Sequence, residues 1–104
     1  MNPPEDSMYG ISLTDLNKIT TVIYANAKVT QAVLFGSRAK NTYKNGSDID
    51  IALMTNQPLT LAELNAIKIE LDDLLLPYKI DLIEFAKITN HELIDHIERV
   101  GKIL

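Results

Sequence analysis

Two short apolar runs, Gln31-Ala32-Val33-Leu34-Phe35 and the segment from Asp48 to Met54, bracket a polar stretch that opens on Gly36-Ser37-Arg38 and closes on Ser47. This arrangement constrains the fold more than any other part of the chain. An apolar run stopped by Gly reads as a buried strand. Asn45-Gly46 is a strong turn signal, and the strand predicted from Asp48 opens on two carboxylates, Asp48 and Asp50, separated by one residue. Side chains at i and i+2 of a strand leave the same face, with Cα atoms roughly 6.6 Å apart. At about 4 Å, with an effective dielectric of about 20, two like charges repel by about 4 kcal/mol. A bound divalent cation turns that repulsion into coordination, and magnesium favours one or two carboxylates together with substrate phosphates. Gly36 lets a backbone turn approach a phosphate closely, and the Ser37 hydroxyl adds a donor. The segment reads as a holder of a metal-bound nucleotide.

The flanking sequence supplies a scaffold. Ser12 with Asp15 resembles a capping box with acid in place of the usual Glu, and Leu13, Leu16, Ile19, Ile23 and Ala27 follow on a helical stripe. Ser37 to Lys40 begins a short helix, and Asn41 to Gly46 is a polar loop. Pro58 ends the second strand, and Thr60 with Glu63 forms a second capping box. Leu61, Leu64, Ile67, Leu71 and Leu74 then form an apolar stripe that stops before Pro77. Lys79 to Phe85 is a third strand. Asn90 caps a last helix that runs through Val100 to Gly101. The order α-β-(short α)-β-α-β-α predicts a small sheet with helices packed against it. Residues 1–104 are expected to form one domain, with 1–9 a flexible polar head.

Composition removes several functions. The absence of Cys excludes disulfides, thiolate zinc sites and a cysteine nucleophile. A net charge of −4 argues against unaided binding to a nucleic-acid backbone, although Lys40 and Lys44 form a small basic patch near the glycine turn. There is no apolar run of membrane-spanning length and the N-terminus has no signal-peptide pattern, so a cytoplasmic location without membrane association is expected.

Asp81 is the third acid of interest. It lies in the otherwise apolar centre of Lys79-Ile80-Asp81-Leu82-Ile83-Glu84, where an ionised carboxylate is costly unless paired or metal-bound. If its strand neighbours the second, Asp81 joins Asp48 and Asp50, as a further metal ligand or as the base at an attacking hydroxyl. The competing reading pairs Asp81 with a Lys or Arg for structural reasons. Arg38 also has two readings, a clamp on phosphate oxygens or a brace for one of the acids.

Gly36-Ser37-Arg38-Ala39-Lys40, Ser47-Asp48-Ile49-Asp50-Ile51 and Lys79-Ile80-Asp81-Leu82-Ile83 together resemble the minimal nucleotidyltransferases of the DNA polymerase beta superfamily. The resemblance covers nearly the whole chain. It implies a mixed β-sheet flanked by helices, in the α/β (α+β) class, and one or two magnesium ions. It also implies transfer of a nucleoside monophosphate from ATP or another NTP to an acceptor hydroxyl, with release of pyrophosphate. Carried onto this chain, Gly36 and Ser37 bind triphosphate, and Asp48, Asp50 and Asp81 form the catalytic and metal-binding acids. Arg38 and Ser47, which border them, belong to the nucleotide-binding set. Asn41 stands where the family commonly has a second Gly, and Asn best tolerates the left-handed conformation after Gly.

Some minimal members of the superfamily act as antitoxins that attach AMP to a HEPN-type ribonuclease. The resemblance therefore implies a small helical-bundle partner, HEPN-type or substrate-binding, encoded by a neighbouring gene and forming a hetero-oligomer. Two rivals are a non-catalytic module that binds nucleotide or masks a partner, and a transferase acting on an aminoglycoside-like small molecule.

Other features point away from chemistry. His91 and His96 are five residues apart, so on a helix their imidazoles diverge by about 140° and do not make a zinc pair. Both are expected to face solvent, as is Asp72-Asp73. Ser37 has no histidine–acid relay near it in sequence, which disfavours a hydrolase.

Overall fold

The computed structural model describes residues 6–104. It begins with a hairpin: β1 (Ser7–Met8) pairs antiparallel with β2 (Ile11–Ser12). Tyr9 and Gly10 form its turn, with φ of 59° and 73°. Positive φ at both central residues is the turn geometry that matches the twist of a hairpin. The head expected to be flexible over residues 1–9 therefore includes a short strand, and residues 1–5 lie outside the described ones. Ile11 anchors the hairpin, fully buried in the main core.

Helix α1 (Leu13–Tyr24) starts where Ser12 accepts a hydrogen bond from the Asp15 N–H at 3.1 Å. Ile19 and Ile23 of its stripe are fully buried, and Ala27 lies beyond its end. The chain then enters β3 (Val29–Phe35), turns at Gly36 into the short helix α2 (Gly36–Ala39), and crosses a loop to β4 (Ile49–Thr55). Helix α3 (Leu61–Asp73) carries the reciprocal capping box of Thr60 and Glu63. It buries Ile67 and Leu71, whereas Leu61 is 74% exposed. A crossover of this kind is what a parallel pair requires, and β5 (Ile80–Glu84) lies parallel to β4. A single 3-10 turn (Phe85–Lys87) leads towards α4 (His91–Val100), capped by Asn90 accepting from the Glu92 and Leu93 N–H groups.

Gly101 ends α4, as its sequence position predicted, but the chain then adds β6 (Lys102–Ile103), an element absent from the sequence reading. The four-stranded sheet has the order β5-β4-β3-β6, antiparallel except for β4–β5. Beside β6, the Tyr24 hydroxyl accepts from the Ala32 N–H at 2.9 Å and donates to the Leu104 carbonyl at 3.0 Å.

Strand alternation sorts the core into two layers. Ala32, Leu34, Ile49, Ile51, Leu53 and Leu82 join the residues of α1 and α3 in one cluster. Val33, Phe35 and Ala52 pack with Ile97 of α4 in the other. Burying an Ile or Leu side chain fully contributes roughly 1.5–3 kcal/mol, so the sheet is held from both faces. Glu84 is buried among these layers; it accepts from the Leu59 N–H at 3.2 Å, and Lys87 Nζ stands 3.1 Å from its other oxygen. That carboxylate pins the connection from β4 into α3.

Candidate active site

The polar residues gather where β3 ends and β4 and β5 begin. Asp50 and Asp81 are register partners on the parallel pair, one strand spacing apart. Asp48 lies just before β4 rather than inside it. The next residue enters the sheet through a bond from the Ile49 N–H to the Lys79 carbonyl at 2.8 Å. Phe35, the last residue of β3, pairs with Asp50 on the other side. The chain leaves Phe35 through Gly36 at φ 76°, so close that a Cβ there would stand 2.5 Å from Asp50 Oδ2. Gly36 is thus required twice, for its backbone angle and for the space Asp50 occupies.

Burial, and then the charges of Asp81 and Asp48, push the Asp50 carboxyl above its ordinary pKa against the opposing pull of His96 and Lys79. Lys79 Nζ is 3.9 Å from Asp81 Oδ1, with both side chains well exposed. A loose surface pair of this kind contributes at most about 1 kcal/mol and leaves Asp81 accessible. Among the described residues, no group of three or more His, Asp or Glu side chains is arranged to hold a metal ion by protein ligands alone. The donor set nevertheless fits a hard divalent cation. A carboxylate whose proton affinity is raised by burial, and then by two neighbouring acids, favours added positive charge, and magnesium completes its shell with phosphates and water.

Ser37 is half-buried at the start of α2, and its carbonyl accepts from the Thr42 N–H at 2.9 Å. Asn41 closes that turn with φ 60°, the left-handed conformation expected of it. The Ser47 hydroxyl accepts from the Lys44 N–H at 2.9 Å and so shapes its own loop. Arg38 braces backbone carbonyls rather than one of the acids. It is 3% exposed, and its guanidinium donates to the carbonyls of Ser47 and Tyr9. Among the described residues it forms no ion pair with an acid.

His96 was expected to face solvent and does not. It is half-buried, meets Phe35 edge-on with ring centroids 6.2 Å apart, and accepts the Gly36 N–H on Nε2 at 3.1 Å. The proton is therefore on Nδ1 when the ring is neutral. His96 buttresses the glycine turn from α4. A sequence signal for this existed, since Leu93, His96, Ile97 and Val100 follow the i, i+3, i+4, i+7 spacing of a buried stripe. His91 and the Asp72-Asp73 pair are exposed, as expected.

The profile of the family described as polymerase beta, nucleotidyltransferase, matches residues 17–104. The probable protein adenylyltransferase MntA of Haemophilus influenzae is 32% identical over 70 residues, which are 67% of this chain and 60% of that protein. This chain therefore spans only 60% of that relative's length. A solved toxin–antitoxin structure with AMP-PNP matches at a TM-score of 0.71 and 27% identity, over 88% of this chain and 72% of the other. A variant of the MntA–HpeT toxin–antitoxin pair matches at a TM-score of 0.65 and 26% identity, over 86% and 69%. With the mixed sheet, the glycine turn and the facing aspartates in place, the chain belongs to the polymerase beta nucleotidyltransferase family.

Proposed function

We propose that this protein transfers AMP from ATP to a hydroxyl of a helical partner protein, as the antitoxin half of a toxin–antitoxin pair. The observation that carries the reading is the in-register pairing of Asp50 with Asp81 beside a glycine turn packed against Asp50. Family membership supports nucleotidyl transfer. The similarity to a probable protein adenylyltransferase supports a protein acceptor, and the toxin–antitoxin complexes support the partnership. The earlier family resemblance suggests a HEPN-type toxin encoded by a neighbouring gene.

In this reading Ser37 and the backbone of its turn bind the triphosphate. Asp48 and Asp50 hold magnesium, with Asp81 as a further ligand or as the base. Bound magnesium supplies positive charge that neutralises phosphate oxygens and lowers the barrier to attack. The acceptor hydroxyl oxygen bonds to the α-phosphorus, the bond from that phosphorus to the oxygen bridging it to the β-phosphorus breaks, and pyrophosphate leaves. As the base in this reading, Asp81, whose side chain is 46% exposed and only loosely paired with Lys79, takes the hydroxyl proton.

The test incubates the purified chain with its helical partner, α-labelled ATP and magnesium, followed by intact mass spectrometry of the partner. Addition of AMP that is lost in Asp48→Asn and Asp50→Asn is expected. No addition, or equal addition by those variants, would sink the catalytic reading.

A further inference from the structure

We infer that Arg38 is a positioning residue, which ties the N-terminal hairpin to the loop bearing Asp48 and does not itself touch nucleotide; this rests on the reading of Asp48 given above. A guanidinium 3% exposed, with no acid paired to it among the described residues, is an expensive group to bury. What offsets that cost shows what the residue is for. Nε and Nη2 both donate to the Ser47 carbonyl, at 3.1 and 2.8 Å, immediately before Asp48. Nη1 donates to the Tyr9 carbonyl at 3.0 Å. The rings of Tyr43 and Tyr78 lie 5.1 and 5.2 Å from the guanidinium carbon, within cation–π range.

The hairpin turn is seated on this group. A Cβ on Gly10 would stand 2.5 Å from Tyr43 Cε2 and 2.8 Å from Arg38 Nη1, so a side chain there would push the ring or the guanidinium aside. Tyr9 and Gly10 precede the stretch that matches the family profile, so this contact links a segment outside the match to the acid loop. The loop needs such an anchor. Residues 40–42 and 44–46 are exposed, and the loop's own bonds are turn contacts: Asn41 N–H to the Arg38 carbonyl, Thr42 N–H and Oγ1 to the Ser37 carbonyl, Ser47 N–H to the Lys44 carbonyl, and Lys44 N–H to Ser47 Oγ. Lysine offers a point charge and cannot fork onto one carbonyl while reaching a second.

The test compares Arg38→Lys, Arg38→Met, Gly10→Ala and the Gly10→Ala/Arg38→Met double variant in the full chain. Amide exchange by NMR is measured alongside ATP titrations in EDTA and in magnesium. Lys44 and Ser47 amides should exchange about tenfold faster in each single variant, with the Ile19 and Ile67 amides changed far less. The affinity that magnesium adds to ATP binding should fall about tenfold while metal-free ATP binding stays within about twofold, and the double variant should be no worse than the worse single. Loss of metal-free ATP binding in Arg38→Met but not in Gly10→Ala would overturn the proposal in favour of a phosphate clamp. Uniformly faster exchange throughout the chain would overturn it in favour of a purely stabilising role. Failure of the wild-type chain to bind ATP would instead count against the proposed function, and the exchange comparison would still decide whether Arg38 anchors the loop.

Discussion

Replacing Gly36 with Ala isolates the contact on which the proposed site rests, because Gly46 provides a matched control. Both glycines have positive φ, 76° and 83°. Adding a Cβ in that conformation costs roughly 1–2 kcal/mol at either position. Each kcal/mol corresponds to about 4–8 °C in Tm for a domain of this size. Around Gly46 nothing lies within 4 Å of the added atom, so Gly46→Ala should show the backbone cost alone. At Gly36 the new carbon would stand 2.5 Å from Asp50 Oδ2, 3.4 Å from Cγ and 3.6 Å from Cβ. Restoring ordinary contact distance requires the carboxylate oxygen to move by about 1 Å. A displacement of about 1 Å in a catalytic group can cost about a hundredfold in rate. Gly36→Ala should therefore lose roughly a hundredfold in single-turnover AMP transfer, beyond any loss in Gly46→Ala, while both variants melt within a few degrees of each other. If their transfer rates agree within about threefold, the Gly36–Asp50 contact does not set the geometry of the reaction.

Asp50→Asn should raise Tm in EDTA at neutral pH, because the raised pKa of Asp50 means that ionising it disfavours the folded state; a lower Tm would contradict the burial and the neighbouring acids that raise that pKa. The Lys28 ion pair at 2.7 Å, and then the Thr60 N–H, lower the Glu63 pKa to about 2, so its stabilisation is present above the ordinary glutamate pKa and disappears as pH falls towards 2. Glu63→Gln retains a side-chain oxygen for the cap and should flatten the Tm–pH curve across that window in a series of melts. His96→Phe keeps an aromatic ring against Phe35 but removes the acceptor for the Gly36 N–H; an unpaired donor costs about 1–3 kcal/mol when buried. Weaker ATP binding, partly restored in His96→Gln, is expected by calorimetry, and unchanged binding in His96→Phe would show that the glycine turn needs no buttress.

Much of the scaffold was legible because its signals are local. Ser12, Thr60 and Asn90 each cap the helix that their spacing announces, and Gly36 and Asn41 adopt the backbone angles that their residue types allow. The paired strands carrying Asp50 and Asp81 could be read from apolar runs and turn residues, though whether they were neighbours could not. What escaped depends on partners distant in sequence. Strands β1, β2 and β6 have two residues each, too few to show alternation, and the first turn places Tyr9 rather than Gly at its first positive φ. The partners of Arg38 were not legible either, since its tyrosines and the Tyr9 carbonyl reach it only through the tertiary fold. His96 was hidden by its type, since an imidazole in an apolar stripe is discounted as polar unless the backbone donor facing it is known.

The Tyr24 hydroxyl beside β6 bears on how the protein behaves when crowded with copies of itself. A bare strand edge is a template on which another chain can add by main-chain pairing. On β3, Val33 and Leu34 are paired by β6, the Ala32 carbonyl is taken by the Leu104 N–H, and the Ala32 N–H is taken by the Tyr24 phenol. A side chain from α1 thus finishes a ladder that the short strand leaves incomplete. The same oxygen donates onward to the Leu104 carbonyl, so one phenol leaves neither the Ala32 N–H nor that carbonyl free to pair with a second chain.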